Sequence, residues 1–264
     1  MDTARAMNRL EALYGTEHPV ALVTGSGSPR LGNAIVRSLA ERGYRVAIHA
    51  HQSLAGAEQT AAELRLAGTE AFVVQADVSD ETQVREMVNR VNAHFGCIDA
   101  LVNCAAIWQP QRLEEVTAAD VRRNFDINTL GTFLCCQQVG LLMVAQPRGG
   151  AIVNIGDWAT IRPYLDHAAY FPSKGAIPTL TRNLAVEFAS RNPRLRVNAI
   201  MPGPAMVPEG LSESEQRSAI QQTLVKLAGA PHYIADAAVF LIEHEFITGV
   251  CLPVDGGRSI YCPT

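Results

Sequence analysis

Long apolar runs are missing from this 264-residue chain. No stretch approaches the roughly 20 consecutive apolar residues that cross a bilayer, so no membrane partner is expected. An excess of one charge is missing too: the formal net charge of −4 supplies no field for nucleic acid or for an anionic lipid surface. Aromatic residues are scarce, at 6%, which leaves the core to aliphatic side chains. The six cysteines, Cys97, Cys104, Cys135, Cys136, Cys251 and Cys262, form no C-x-x-C pair. No His/Cys/Asp cluster has metal-ligand spacing, so reduced, mostly buried thiols and no metal are expected. Residues 1–19 lack the apolar core of a secretory leader, and a cytoplasmic location is expected from that. Internal repeats and low-complexity segments are absent as well.

What is present is a rhythm. Short apolar runs at 20–23, 45–49, 71–75, 98–102, 150–155, 195–200 and 249–254 alternate with helical spacing at 33–42, 54–66, 81–95, from about 121 into the 140s, at 169–190 and at 232–243. Ser79 and Asp80 are cap candidates ahead of the third of these helices, and Gly43 and Gly68 stand just past the ends of the first two. Strands alternating with helices of this length specify right-handed βαβ units. The expected fold class is α/β: a Rossmann-type doubly wound parallel sheet in a single domain over 19–264. Residues 1–18 form an N-terminal extension of unknown role.

The first strand runs directly into Thr24, Gly25, Ser26, Gly27, Ser28, Pro29, Arg30, Leu31 and Gly32. Glycines in such a turn let backbone approach a pyrophosphate, and the following helix aims its N-terminal N–H groups at it. Further along, Tyr170 and Lys174 lie four apart and share a helix face. An ammonium beside a phenol favours phenolate and lowers its pKa from about 10, which suits Tyr170 to general acid work. Asp157 ends the preceding strand, thirteen positions before Tyr170.

In their order these motifs resemble the short-chain dehydrogenase/reductase family over nearly the whole chain. Asp77 and Val78 follow the third strand, where the family holds adenine. Asn103, Cys104, Ala105 and Ala106 follow the fourth, where the family has Asn-Asn-Ala-Gly, and this puts Cys104 in the cofactor cleft. Asn128 stands at the family's structural and proton-relay asparagine, Pro202 and Gly203 follow the sixth strand, and Val254, Asp255, Gly256 and Gly257 come near the end. The resemblance implies a catalytic set of Asp157, Tyr170, Lys174 and Asn128, with Asp157 in place of the family's serine. It implies a nicotinamide cofactor held by Gly25, Ser28, Arg30, Leu31, Gly32, His51, Gln52, Ser53, Asp77, Val78, Asn103, Cys104, Ala105, Tyr170, Lys174, Pro202 and Gly203.

Within the family, the details resemble pteridine reductases and dihydromonapterin reductases, which also carry aspartate at this place. The first turn is one residue longer than the usual Thr-Gly-x-x-x-Gly-x-Gly. Its Pro29 and Arg30 replace the middle glycine, as in pteridine reductases, where the arginine reaches both cofactor phosphate and pterin. At the end of the second strand stand His49, Ala50, His51, Gln52 and Ser53, with no acid to bond a ribose 2′-hydroxyl or repel a 2′-phosphate. Pteridine reductases have His-x-His-Arg-Ser there; Gln52 and Ser53 keep hydrogen-bond donors for a phosphate without the charge, and NADPH is expected. Trp108 takes the place of an aromatic that sandwiches the pterin. The expected substrate contacts are Arg30, Trp108, Asp157, Tyr170 and Met206, the last in a loop over 204–222. His167 either lines the pocket or is a solvated loop histidine.

The expected function is NADPH-dependent reduction of a small-molecule pterin, of the dihydromonapterin, dihydrobiopterin or dihydrofolate type, with hydride to a ring carbon and a proton from Tyr170. The alternatives are a carbonyl reductase of the same fold and a non-catalytic NADP-binding regulatory protein. The resemblance also implies a homotetramer assembled through the helices that carry Asn128 and Tyr170.

Overall fold

Seven strands, β1 (Val20–Thr24), β2 (Arg45–Ala50), β3 (Ala71–Gln75), β4 (Ala100–Asn103), β5 (Gly150–Ile155), β6 (Leu195–Pro202) and β7 (Cys251–Val254), pair in parallel in the order β3-β2-β1-β4-β5-β6-β7. They belong to a computed structural model that describes residues 3–205, 217 and 220–261. Met206, Cys262 and most of the expected substrate loop lie outside the described residues. β1, β5 and β6 are buried at every position. Helices cover both faces of a parallel sheet, which is why these strands read as continuous apolar runs rather than alternating ones.

On one face lie α1 (Thr3–Tyr14), α2 (Leu31–Glu41), α3 (Leu54–Leu66) and α8 (Pro231–Glu243); their core includes Ile35, Leu39, Ala61, Ala238 and Ile242. On the other lie α4 (Glu81–Phe95), α6 (Gly131–Ala145) and α7 (Tyr170–Ala189), packed through Met87, Val91, Val139, Met143 and Phe188. The cap reading at α4 holds. The Asp80 carboxylate accepts from Thr82 N and Gln83 N, and Gly96 ends the helix in the left-handed conformation at φ 85°.

Most boundaries shift by one or two residues from the sequence reading, and two departures have a visible cause. The fourth strand was expected over 98–102 and runs over 100–103. Asp99 sets its entry: its carboxylate accepts from Val20 N at 2.8 Å while its own N–H donates to Val20 O at 2.8 Å. The long helix expected from about 121 is three pieces. α5 (Ala118–Asn124) starts in a Thr117/Asp120 capping box, a π-helical turn spans Phe125–Leu130, and α6 follows. A π turn inserts one residue into the helical ladder, and hydrophobic spacing does not register it. By length and composition the helical run 118–145 would cross a membrane, but half of its apolar window is buried inside the fold. It is a core helix.

The extension is helical, and it docks on the end of α8. The last carbonyls of a helix have no partner within it. Here Arg196 takes Leu241 O at 2.7 Å and Ile242 O at 2.6 Å, Tyr14 OH donates to Ile242 O at 3.0 Å, and Arg9 donates to Glu243 O at 2.9 Å. The Glu243 carboxylate is buried and bidentate with Arg42, at 3.2 and 2.5 Å. Tyr14 also sets its ring edge-on to Tyr44, with centroids 6.1 Å apart. Tyr14→Ala should lower the stability measured by urea denaturation by about 3 kcal/mol through lost burial. Tyr14→Phe, which loses only the bond to Ile242, should cost about 1 kcal/mol.

Candidate active site

The strand order reverses between β1 and β4, so the loops leaving these neighbours diverge and open a crevice at their carboxyl ends. Thr24 closes its floor: its hydroxyl oxygen accepts from Cys104 N at 3.0 Å and Ala105 N at 3.1 Å. Gly25 follows at φ 64°, and a Cβ there would stand 2.6 Å from Ala105 Cα. At Gly32 a Cβ would stand 2.6 Å from Gly25 O. The turn therefore packs backbone on backbone, and α2 begins without a side-chain cap. A tight backbone turn beside an uncapped helix start fits a pyrophosphate.

His49 braces this turn from below. Gly25 N donates to His49 Nδ1 at 2.9 Å, so the proton sits on Nε2, which donates to Ala76 O at 3.0 Å. Burial pushes its pKa down to about 4 and keeps it neutral. The ring fastens the turn to the ends of β2 and β3.

The other expected cofactor residues gather on this rim. Ser28, the exposed Arg30 and Leu31 lie on the turn and at the start of α2. His51 and Gln52 are exposed at the exit of β2, and Ser53 precedes α3. Asp77 accepts from Ser79 N at 2.9 Å and Ser79 Oγ at 2.7 Å beyond β3, with His51 Nε2 at 3.9 Å, and Val78 is buried beside Gly131. Asn103 ends β4, Pro202 ends β6, and Gly203 N donates to Val254 O at 2.9 Å. Cys104 lies in the cleft, where burial raises its thiol to about 11; it is not a poised nucleophile.

Across the crevice the chemical groups converge. Asp157 follows β5 and caps a short 3-10 turn, Trp158–Thr160; its Oδ1 accepts from Ala159 N at 2.8 Å. Its Oδ2 accepts from Tyr170 OH at 2.8 Å. Tyr170 opens α7 and is buried, as is Lys174 one turn on. The expectation that Lys174 lowers the phenol's pKa is corrected. Lys174 Nζ is turned to Ile155 O at 2.8 Å. Burial, then the Asp157 carboxylate, push the Tyr170 pKa up, because a carboxylate that accepts the phenol's hydrogen bond favours the neutral phenol. Burial likewise holds Asp157 above the usual carboxylate range. Desolvation lowers the Lys174 pKa, opposed by Cys104 and Asp157.

Asn128 sits in the π turn and is fully buried. Its amide accepts from Ile107 N at 2.9 Å and donates to Ile107 O at 3.1 Å and Ser173 Oγ at 3.0 Å. The side chain expected to relay protons to solvent is thus occupied in tying the loop after β4 to α7. Below it lies a network that the sequence reading missed. Asn103 Nδ2 donates to Asn154 Oδ1 at 2.9 Å and to Cys136 Sγ at 3.1 Å, and Asn154 Nδ2 donates to Thr181 Oγ1 at 3.0 Å. An asparagine inside the apolar fifth strand was the available signal.

The outer wall is aromatic. Trp108 is 43% exposed, stacks on the His167 ring at 4.9 Å and 26°, and donates from Nε1 to Tyr164 OH at 3.2 Å. Tyr164 meets His167 edge-on at 4.9 Å and Phe171 at 4.9 Å. Arg258 lies 5.0 Å over the Trp158 ring. Of the two readings of His167, the solvated one fails: the residue is 7% exposed. Tyr164 was not anticipated, since loop spacing says nothing about which side chains meet across a cleft.

Comparison with known proteins agrees with this arrangement. Residues 29–259 match the family profile described as Enoyl-(acyl carrier protein) reductase. The chain is 36% identical over 251 residues to the uncharacterized oxidoreductase YgfF of Escherichia coli K12, covering 90% of this chain and 99% of that one. It is 34% identical over 241 residues to the 3-oxoacyl-[acyl-carrier-protein] reductase FabG of Staphylococcus epidermidis RP62A, covering 90% and 97%. The crystal structure of gox2181 superposes with a TM-score of 0.86 at 31% identity, covering 96% of this chain and all of that one. With its phosphate cradle at the β1/β4 crevice and its Tyr170/Lys174 pair beside it, the chain is an oxidoreductase of the short-chain dehydrogenase/reductase family, which uses a nicotinamide cofactor.

Proposed function

We propose that the protein is an NADPH-dependent reductase of pterins, acting on dihydropterins or dihydrofolate. The observation that carries this reading is the 2.8 Å hydrogen bond from Tyr170 OH to Asp157 Oδ2. Reducing a C=N bond requires a hydride on carbon and a proton on nitrogen. The bound nicotinamide supplies the hydride. Tyr170 OH gives its proton to the ring nitrogen as the electron pair of the C=N bond moves onto that atom. Asp157 orients the phenol beforehand by accepting its hydrogen bond, and a proton from solvent restores the phenol afterwards. Lys174 is the nearby cation that opposes the cost of burying the Asp157 charge. A carboxylate also accepts from an amino-pyrimidine edge, and the half-exposed Trp108 supplies a face for a planar ring.

NADPH is favoured because the exit of β2 offers His51, Gln52 and Ser53 and no carboxylate. Asp77, whose Oδ2 lies 3.9 Å from His51 Nε2, accepts from Ser79 through its other oxygen. The rival reading is a carbonyl reductase, in keeping with relatives such as the 3-oxoacyl reductase. Against it stands the substitution itself: a ketone offers Asp157 no donor.

The chain is also read as a homotetramer through α6 and α7. Leu130 and Leu141 on the α6 side and Val186 on α7 are exposed apolar side chains, a composition suited to an interface core. Light scattering should return four chains for the wild type and a smaller assembly for the double substitution Leu141→Asp, Val186→Asp.

The deciding assay follows reduced-nicotinamide oxidation with dihydromonapterin, dihydrobiopterin, dihydrofolate and a panel of ketones, using NADPH and NADH in parallel. Pterin turnover should fall about 100-fold or more in Asp157→Ser. Turnover of ketones alone, kept or improved by serine, would instead establish the carbonyl reductase. NADPH binding without turnover on any substrate would establish the regulatory protein.

The raised Asp157 pKa also has a stability signature. A carboxyl whose folded pKa lies above its unfolded value binds its proton more tightly when folded. Its contribution is present below the unfolded pKa and lost as pH rises through the folded one. Asp157→Asn, which mimics the protonated group, should therefore raise Tm by a few degrees at neutral pH, with the gap closing toward the acid range in scanning calorimetry. A gap that does not vary with pH would contradict the raised pKa.

A further inference from the structure

One polar atom on the wall of the cleft is buried without a partner: Nε2 of His167. Its other nitrogen, Nδ1, lies 2.8 Å from Leu165 O. A carbonyl only accepts, so Nδ1 carries the proton and Nε2 presents a bare lone pair. Buried acceptors without a partner are rare in folded proteins and call for an explanation. The ring belongs to the reaction site. It lies three residues before Tyr170, with ring centroids 6.2 Å apart. Trp108, Tyr164, Tyr170 and Phe171 enclose it.

This enclosure has a buried side and an exposed side. Tyr170 is buried in α7, whereas Trp108 and Tyr164 are 43% and 42% exposed and are joined by a single exposed hydrogen bond of 3.2 Å. A flat ligand entering beside Tyr170 meets Trp108 and Tyr164 first. A ligand that parts these two side chains reaches the imidazole.

We propose that His167 is a specificity-determining residue whose Nε2 accepts a hydrogen bond from an N–H or O–H of the substrate. The inference rests on the reductase reading above and deepens it. With Asp157 and His167 both accepting, the cleft selects substrates that carry donors along the edge facing this wall. Reduced pterins carry ring N–H and amino groups there; a simple ketone carries only an acceptor. A site that holds an unsatisfied acceptor rejects ligands that cannot supply the matching donor far more strongly than a purely apolar site does.

The test compares His167→Phe with His167→Gln. Both lose the bond to Leu165 and both keep a flat group against Trp108, but only glutamine retains an acceptor at reach. For a dihydropterin, KM of the phenylalanine variant should exceed that of the glutamine variant at least tenfold, with kcat values within about threefold of each other. For a cyclic ketone without N–H or O–H, the same KM ratio should stay near one. Equal pterin KM values in the two variants, with the wild type turning pterins over, would overturn the role of His167 and leave the pterin reading standing. Should the wild type reduce only ketones, the pterin reading falls by itself. The ratio is then taken on an α-hydroxy ketone and its unsubstituted parent: tenfold for the hydroxy compound keeps the inference, and a ratio near one ends it. With no turnover at all, the ratio is read as Kd from quenching of tryptophan fluorescence by bound dihydropterin, and equal values overturn the inference.

Discussion

The reversal of strand order between β1 and β4 is the constraint from which the rest follows. At that point the chain leaving one strand turns to the opposite face of the sheet from the chain leaving its neighbour. The ends of the two strands are therefore left without a continuing ladder. Backbone N–H groups in that position must still be satisfied. Thr24 does so with one oxygen that accepts from two consecutive amides, Cys104 N and Ala105 N. The contact draws the β4 exit against Gly25 so closely that no side chain fits there. One hydroxyl thus sets both the width of the crevice and the need for glycine on its rim. His49 fixes the same turn from the other side, and its neutral state is part of that role. A protonated ring could not accept from Gly25 N.

From that fixed floor the reacting groups are built outward as a balanced set. Lys174 is a buried cation and Asp157 a largely buried acid, and an isolated charge in either place would be costly. Each moderates the other: Asp157 opposes the desolvation that lowers the Lys174 pKa, and Lys174 opposes the desolvation that raises that of Asp157. A hydroxyl at 157 would leave Lys174 without this carboxylate. The carboxyl changes the phenol too, because it holds Tyr170 in its neutral, proton-bearing form.

Much of this was legible in the sequence, for reasons that differ by element. Continuous apolar runs reported strands buried on both faces, and the 81–95 helix was readable to the residue because Asp80 and Gly96 mark its ends with side-chain and backbone chemistry. The convergence of Asp157, Tyr170 and Lys174 followed from motif order. The π turn at 125–130 was not legible, since one inserted residue leaves composition and rough periodicity unchanged. Nor was the docking of residues 9–14, which depends on carbonyls at the end of a helix more than 220 positions away. The turning of Lys174 toward Ile155 was equally hidden. Spacing places two side chains on one helix face, but burial and the nearest acceptor decide where an ammonium points.

The outer wall shows how far such local rules reach. Trp108 and His167 come from loops that share no periodicity, yet the two segments are tied together, directly by Gln111 N donating to Asp166 O at 2.7 Å and from below by Asn128. It grips Ile107, next to Trp108, on one side and Ser173, one turn into α7, on the other. Asn128 makes these contacts from within the π turn. A residue in the middle of a core helix therefore helps set the distance between the aromatic wall and Tyr170. The substrate must fit that distance, so the shape of the cleft is decided in the core, and its chemistry by the few polar atoms left facing it.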